Sequence, residues 1–205
     1  MAECKYVTKK IVKEAKIEIV KVLKQVNEDI KEKYKGNVNF HIVGSAKRNL
    51  IVRNGNSPWD IDFQIILDDK IFNDIEAEEI KIDIWNYFKN RLDDKNYKVN
   101  FSKSVISVTL RETNEYGLSS FDIAILKRNP KNNKLEILRG KVGDKNSEYF
   151  FKWEIIGGAE NSYFFRKKEI KNEDWIKFRE LFLLKKENDF KEKENGREGK
   201  KTFIL

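Results

Sequence analysis

A mixed α/β (α+β) fold, a small mixed sheet flanked by helices and closed by a C-terminal helix, is what this sequence predicts. Three observations carry it. Stretches with apolar residues every three or four positions lie near both ends and in the middle of the chain. Between them stand short apolar segments rich in Ile, Val and Phe, as buried strands require. Two of those segments carry acids inside otherwise apolar runs: Asp60 and Asp62 in Trp59–Leu67, and Asp122 in Ser120–Lys127.

Thr8 to Tyr34 reads as one long helix, with Ile11, Ala15, Ile19, Val22, Leu23, Val26 and Ile30 recurring on one side. Lys35-Gly36-Asn37 ends it. Val38–Val43 is a strand, and Gly44–Leu50 a turn leading into a short helix. Arg53–Pro58 is a loop, broken by Gly55 and Pro58. Trp59–Leu67 is the second strand, central because Ile65, Ile66 and Leu67 follow one another. A helix is expected over Asp74–Leu92, with Ile75, Ile80, Ile84, Tyr87 and Phe88 as its apolar side. Tyr97–Arg111 alternates as a single third strand, and Ser120–Lys127 is the fourth. Asn132-Asn133 marks a turn before a strand at Leu135–Leu138. Glu148–Ile156 is strand or loop. Asn161–Lys186 is helical, with Trp175, Phe178, Leu181 and Phe182 as its stripe. The resulting division is an N-terminal helix over 1–36 packed on a core over 37–160, a C-terminal helix over 161–188, and a Lys/Glu-rich tail over 189–205 expected to be disordered.

Composition narrows the function classes. With 40% hydrophobic and 12% aromatic residues, the 205-residue chain has enough apolar material for a core. One cysteine, Cys4, excludes an internal disulfide framework and a Cys-rich zinc site, and one histidine, His41, argues against a His-based one. No apolar run reaches the length of a membrane span and no signal core opens the chain, so a cytoplasmic protein without a membrane partner is expected. A formal charge of +8 favours polyanionic partners such as nucleotides or RNA.

Asp60 and Asp62, one residue apart on a strand, point to the same face. Their mutual repulsion has to be offset, and a divalent cation does so best. Upstream, the strand His41-Ile42-Val43 ends in Gly44-Ser45. Gly44 can let a phosphate approach the backbone, and the Ser45 amide and hydroxyl can bond it. Lys47 and Arg48 follow the turn and can reach the same anion, or be solvated. For His41, Trp59 and Tyr163 packing is the better expectation, and Gly157-Gly158 reads as a turn.

The line Val43-Gly44-Ser45, Trp59-Asp60-Ile61-Asp62-Phe63 and Phe121-Asp122-Ile123 resembles the nucleotidyltransferase superfamily of polymerase-β type, over about residues 38–126. The 14 residues between Ser45 and Asp60 exceed the usual gap slightly, and the excess falls in the Asn54–Pro58 loop, where insertion is cheap. The resemblance implies a nucleotidyltransferase-like core and catalytic residues Asp60, Asp62 and Asp122. These acids would also hold two Mg²⁺ ions, with Mn²⁺ as a substitute, while Gly44, Ser45, Lys47 and Arg48 bind the nucleotide. The implied reaction moves a nucleoside monophosphate from an NTP, expected to be ATP, to a hydroxyl and releases pyrophosphate. The acceptor stays open among RNA, protein and small molecules. The alternative is a catalytically inactive nucleotide- or RNA-binding module on the same scaffold. The roughly 80 residues after the core are short for the large helical second domain of some relatives, so a homodimer or a partner protein completing the cleft is expected.

Overall fold

The computed structural model describes residues 3–68, 70–112, 117–142, 149–156 and 172–194. The elements in chain order are β1 (Cys4–Tyr6), α1 (Lys9–Ala15), α2 (Ile17–Tyr34), β2 (Val38–Ile42), α3 (Gly44–Arg48), β3 (Val52–Asn54) and β4 (Trp59–Leu67). A 3₁₀ turn at Lys70–Asn73 leads to α4 (Ala77–Arg91), β5 (Tyr97–Phe101), β6 (Val105–Leu110), β7 (Leu118–Arg128), β8 (Leu135–Val142), β9 (Tyr149–Ile155) and α5 (Asn172–Glu194). The mixed fold expected from the sequence is the fold observed.

Among the described residues, seven strands make the main sheet. Its path runs β2-β4-β7-β6-β5, with β8 on the far half of β7 and β9 beyond it. Among the described residues, only β4 and β7 pair in parallel, and every other pairing in that sheet is antiparallel. The sheet has one dry face and one open face. On β4 the odd-numbered residues Trp59, Ile61, Phe63, Ile65 and Leu67 are buried, while Asp60, Asp62, Gln64 and Ile66 are not. The dry face joins Ile19, Leu23, Val26 and Ile30 of α2 and Ile80, Ile84 and Phe88 of α4 in one apolar cluster with Ile106, Phe121, Ile123 and Ile125. Both helices present apolar residues three and four apart, so each lays one stripe on the sheet.

Several expectations change in detail. The long N-terminal helix is two, separated by a turn residue, Lys16, which caps α1 by donating its N–H to the Glu14 carbonyl. Ile17, the apolar residue that breaks the three-four spacing, is left exposed there. Lys35 itself, not Gly36, takes the left-handed conformation that ends α2. The single strand over Tyr97–Arg111 is a hairpin, β5 against β6. Its turn lacks Gly and Pro. Instead, Ser102 closes it by accepting from the Val105 N–H and donating to the Val105 carbonyl. Glu148–Ile156 resolves as strand β9 over Tyr149–Ile155. Arg53 and Asn54 of the expected loop, with Val52 before them, pair with Cys4–Tyr6 in a separate two-stranded sheet. The C-terminal helix continues to Glu194, past the expected boundary at 188, so the first part of the expected tail is helical. His41 is exposed rather than core, because β2 is an edge strand and His41 shares the open face with its partner Gln64. Tyr163 and Gly157-Gly158 lie outside the described residues.

Candidate active site

The three acids of the sequence analysis meet on the open face. Asp62 and Asp122 are register partners on the parallel strands β4 and β7, and Asp60 pairs with Ser120 one step away. Each acid offers a carboxylate oxygen, and the three oxygens lie within 4.8 Å of one another. Parallel pairing at the centre of the sheet produces this, because side chains at matched positions of neighbouring strands project side by side.

Like charges at that spacing disfavour ionisation. Burial, reinforced by Asp60 and Asp122, pushes the Asp62 carboxyl up to about 6. Asp60 is also raised, by burial and by Asp122, although its residue surface is the most open of the three. A backbone hydrogen bond and the charge of Lys186 on α5 act against that rise at Asp60. Ser107 on β6 is the register partner of Asp122 on its other side and donates its hydroxyl to Asp122 Oδ1.

Gly44 and Ser45 start the five-residue helix α3 directly after β2, and Gly44 has φ +60°. That conformation favours glycine. A second reason was not visible in the sequence: a Cβ at Gly44 would sit 2.2 Å from Asp62 Oδ2. The glycine is needed to admit the acid's own carboxylate. The Val43 N–H donates to the Asp62 carbonyl at 3.0 Å and ties the turn to β4. Ser45 is half-buried at the same turn, and its carbonyl accepts from the Leu50 N–H at 2.9 Å. Lys47 is exposed and Arg48 partly so, both on α3. The structure therefore brings the Gly-Ser turn against Asp62 and places the two cations on the following turn. Trp59 is buried and packs, as expected.

Lys186 escaped the sequence analysis, since it stands among many lysines of a charged helix. What places it is the docking of α5. Arg179 lays its guanidinium over the Tyr6 ring, 4.2 Å from the centroid, and its carbonyl accepts from the Tyr6 hydroxyl. Trp175, Phe178 and Phe182 stack along the helix, with Phe182 buried. Leu181, expected in that stripe, is exposed instead.

A donor set made only of carboxylates suits a hard divalent cation such as Mg²⁺, and three carboxylates whose oxygens lie this close could hold one. No family model matches the chain, and no curated protein matches it. Solved structures do. The Elizabethkingia meningoseptica CdnE cyclic dinucleotide synthase, solved with GTP and Apcpp, superposes with a TM-score of 0.54 at 17% identity, over 86% of this chain and 60% of that one. The Bradyrhizobium diazoefficiens CD-NTase CdnG, solved with GTP, gives 0.51 at 16% identity, over 74% of this chain and 41% of that one.

The fold is that of the polymerase-β-type nucleotidyltransferases. This nucleotidyltransferase-fold chain spans about 60% of the length of the CdnE chain and less of CdnG. Among its described residues, no helix is long and apolar enough to cross a membrane.

Proposed function

We propose that the chain is a metal-dependent nucleotidyltransferase, transferring a nucleoside monophosphate from an NTP to a hydroxyl acceptor and releasing pyrophosphate. The observation that carries this reading is the cluster of Asp60, Asp62 and Asp122 on the open sheet face, fitted against the Gly44-Ser45 turn. Asp60, Asp62 and Asp122 would hold Mg²⁺, or Mn²⁺ in its place, and the bound metal would neutralise triphosphate charge and acidify the acceptor hydroxyl.

The remaining residues position and neutralise. Ser45 offers a hydroxyl and an amide to a phosphate oxygen, and Lys47, Arg48 and Lys186 supply positive charge around it. In the transfer, the acceptor oxygen bonds to the α-phosphorus as the bond from that phosphorus to its bridging oxygen breaks. Pyrophosphate leaves with the bond's electrons, and the hydroxyl gives up its proton. Catalysis of this kind rests on orientation and fixed charge. An inactive binding module would have no use for acids whose ionisation the fold resists, and that favours the catalytic reading.

ATP is the donor proposed first. The acceptor is RNA, a protein or a small molecule, and a second copy or a partner protein completes the cleft in this reading. Incubation with each α-labelled NTP, Mg²⁺ or Mn²⁺, and total RNA or lysate tests it. Label appearing in an acceptor together with free pyrophosphate, and lost in Asp62→Asn, is expected. Magnesium-independent NTP binding without pyrophosphate release points to the binding module instead.

A further inference from the structure

We infer that Ser107 is a positioning residue for Asp122, holding one carboxylate oxygen aside so that the other faces the cation site between the acids. The inference rests on the metal-dependent reading above. Ser107 sits on β6, opposite Asp122 on β7, and Asp62 sits opposite Asp122 on β4. The middle acid therefore has a carboxylate on one side and a hydroxyl on the other. The hydroxyl donates to Oδ1. A hydrogen bond to an ionised oxygen is about twice as strong as one between neutral groups.

Without that bond, Asp122 is free to turn about its side-chain torsions. Turned toward Asp62, it fills the space a cation needs. Turned away, it leaves the cluster short of a ligand. Ser107 pulls Oδ1 toward β6, away from Asp62, and so keeps the gap open before any cation arrives. The same bond leaves Asp122 one oxygen for ligation. Partners that orient a metal ligand in this way typically change metal affinity by about 10–100-fold when removed. The flanking residues Ile106 and Val108 are buried on the dry face, which fixes the strand and aims Ser107 at the open one.

Mn²⁺ binding followed by electron paramagnetic resonance, on the full chain without nucleotide, tests this directly. Ser107→Ala should weaken Mn²⁺ binding by about 10-fold or more, and Ser107→Thr, which keeps the hydroxyl, should restore it to within a few-fold. In the transfer assay, Ser107→Ala should lower kcat with little change in KM for the NTP. If Ser107→Ala does not fold by circular dichroism, Ser107→Cys replaces it, since a thiol keeps the volume and is a weak donor. Wild-type Mn²⁺ affinity in the folded Ala or Cys variant overturns the inference, as does a Thr variant as impaired as Ala. Asp122→Asn separates the two ideas. If it loses Mn²⁺ while Ser107→Ala does not, the positioning role alone fails. If wild-type protein binds no Mn²⁺, the metal reading fails and takes this inference with it.

Discussion

Asp62→Asn should stabilise the metal-free protein at neutral pH while abolishing transfer. Asp62 titrates near 6 in the fold against 3.8 for an ordinary aspartate. Ionising such a carboxyl subtracts about 3 kcal/mol from stability. Part of that belongs jointly to Asp60 and Asp122, and part is screened by solvent, so about 2 kcal/mol is the working figure for removing the charge. For a chain of this size that is about 4–8 °C in Tm. The sign depends on pH. Because the folded-state pKa is raised, the folded protein binds the proton more tightly than the unfolded one between pH 4 and 6. Wild-type stability therefore falls as pH rises through that window, and the Asn variant has a flatter profile. Thermal melts in a chelator at pH 4, 5, 6, 7 and 8 measure it. The two proteins should melt close together at pH 4 and diverge by pH 7, with the variant higher. A variant that melts lower than wild type at pH 7, or by the same margin at pH 4 and 7, refutes the claim that the cluster is held against its own repulsion.

Four further outcomes are expected. Tm should rise more with NTP and Mg²⁺ together than with either alone, because each supplies what the other lacks; an equal rise with NTP and chelator places the nucleotide elsewhere. Gly44→Ala should lose most transfer activity and about 1–2 kcal/mol of stability, from the left-handed backbone and the clash with Asp62 Oδ2, whereas Ser45→Ala should lose activity more modestly; equal losses by kinetics and melting contradict this. Lys186→Met should raise KM for the NTP several-fold and push the Asp60 carboxyl up further, readable by NMR titration of the metal-free protein. Lys81→Met should raise Tm by several degrees at pH 7, because burial lowers the Lys81 amine to about 8 and its Nζ has no hydrogen-bond partner among the described residues; the difference should shrink as pH rises from 8 toward 10.5, and a variant that melts lower than wild type rules this out.

The acids and the Gly-Ser turn were legible because their signal is local. An apolar run with acids at period two constrains both the face and the neighbours of those acids, whatever surrounds them. Apolar runs also marked β4 and β7, and three-and-four spacing marked the stripe of α2. Alternation hid the β5–β6 turn, since Ser102 closes it with a side chain instead of a glycine. Ser107 and Lys186 were out of reach for a different reason. Nothing beside Ser107 in the chain marks it, and its meaning comes from the strand 15 residues later that pairs with its own. Lys186 acquires its position from the Tyr6–Arg179 contact, across 173 residues. Pairings at that range are set by the whole fold.

The economy of β4 explains how a protein can hold such a cluster at all. Its odd-numbered residues Ile61, Phe63, Ile65 and Leu67 are at most 1% exposed. Burying four such side chains contributes about 6–12 kcal/mol, an upper figure because the unfolded chain already hides some surface. With screening by solvent, the ionised acids on the other face cost about 2 kcal/mol at Asp62 and a further amount at Asp60. The dry face exceeds the cost at Asp62 severalfold, so the strand stays in register while carrying charges that repel. Register is what the chemistry needs. Asp62 stands beside Asp122 only because Phe63 stands beside Ile123 and Ile61 beside Phe121. A slip of one residue would turn the acids into the core and the core into water, a penalty far larger than the repulsion it would relieve. The apolar half of the strand thus fixes the geometry of the polar half.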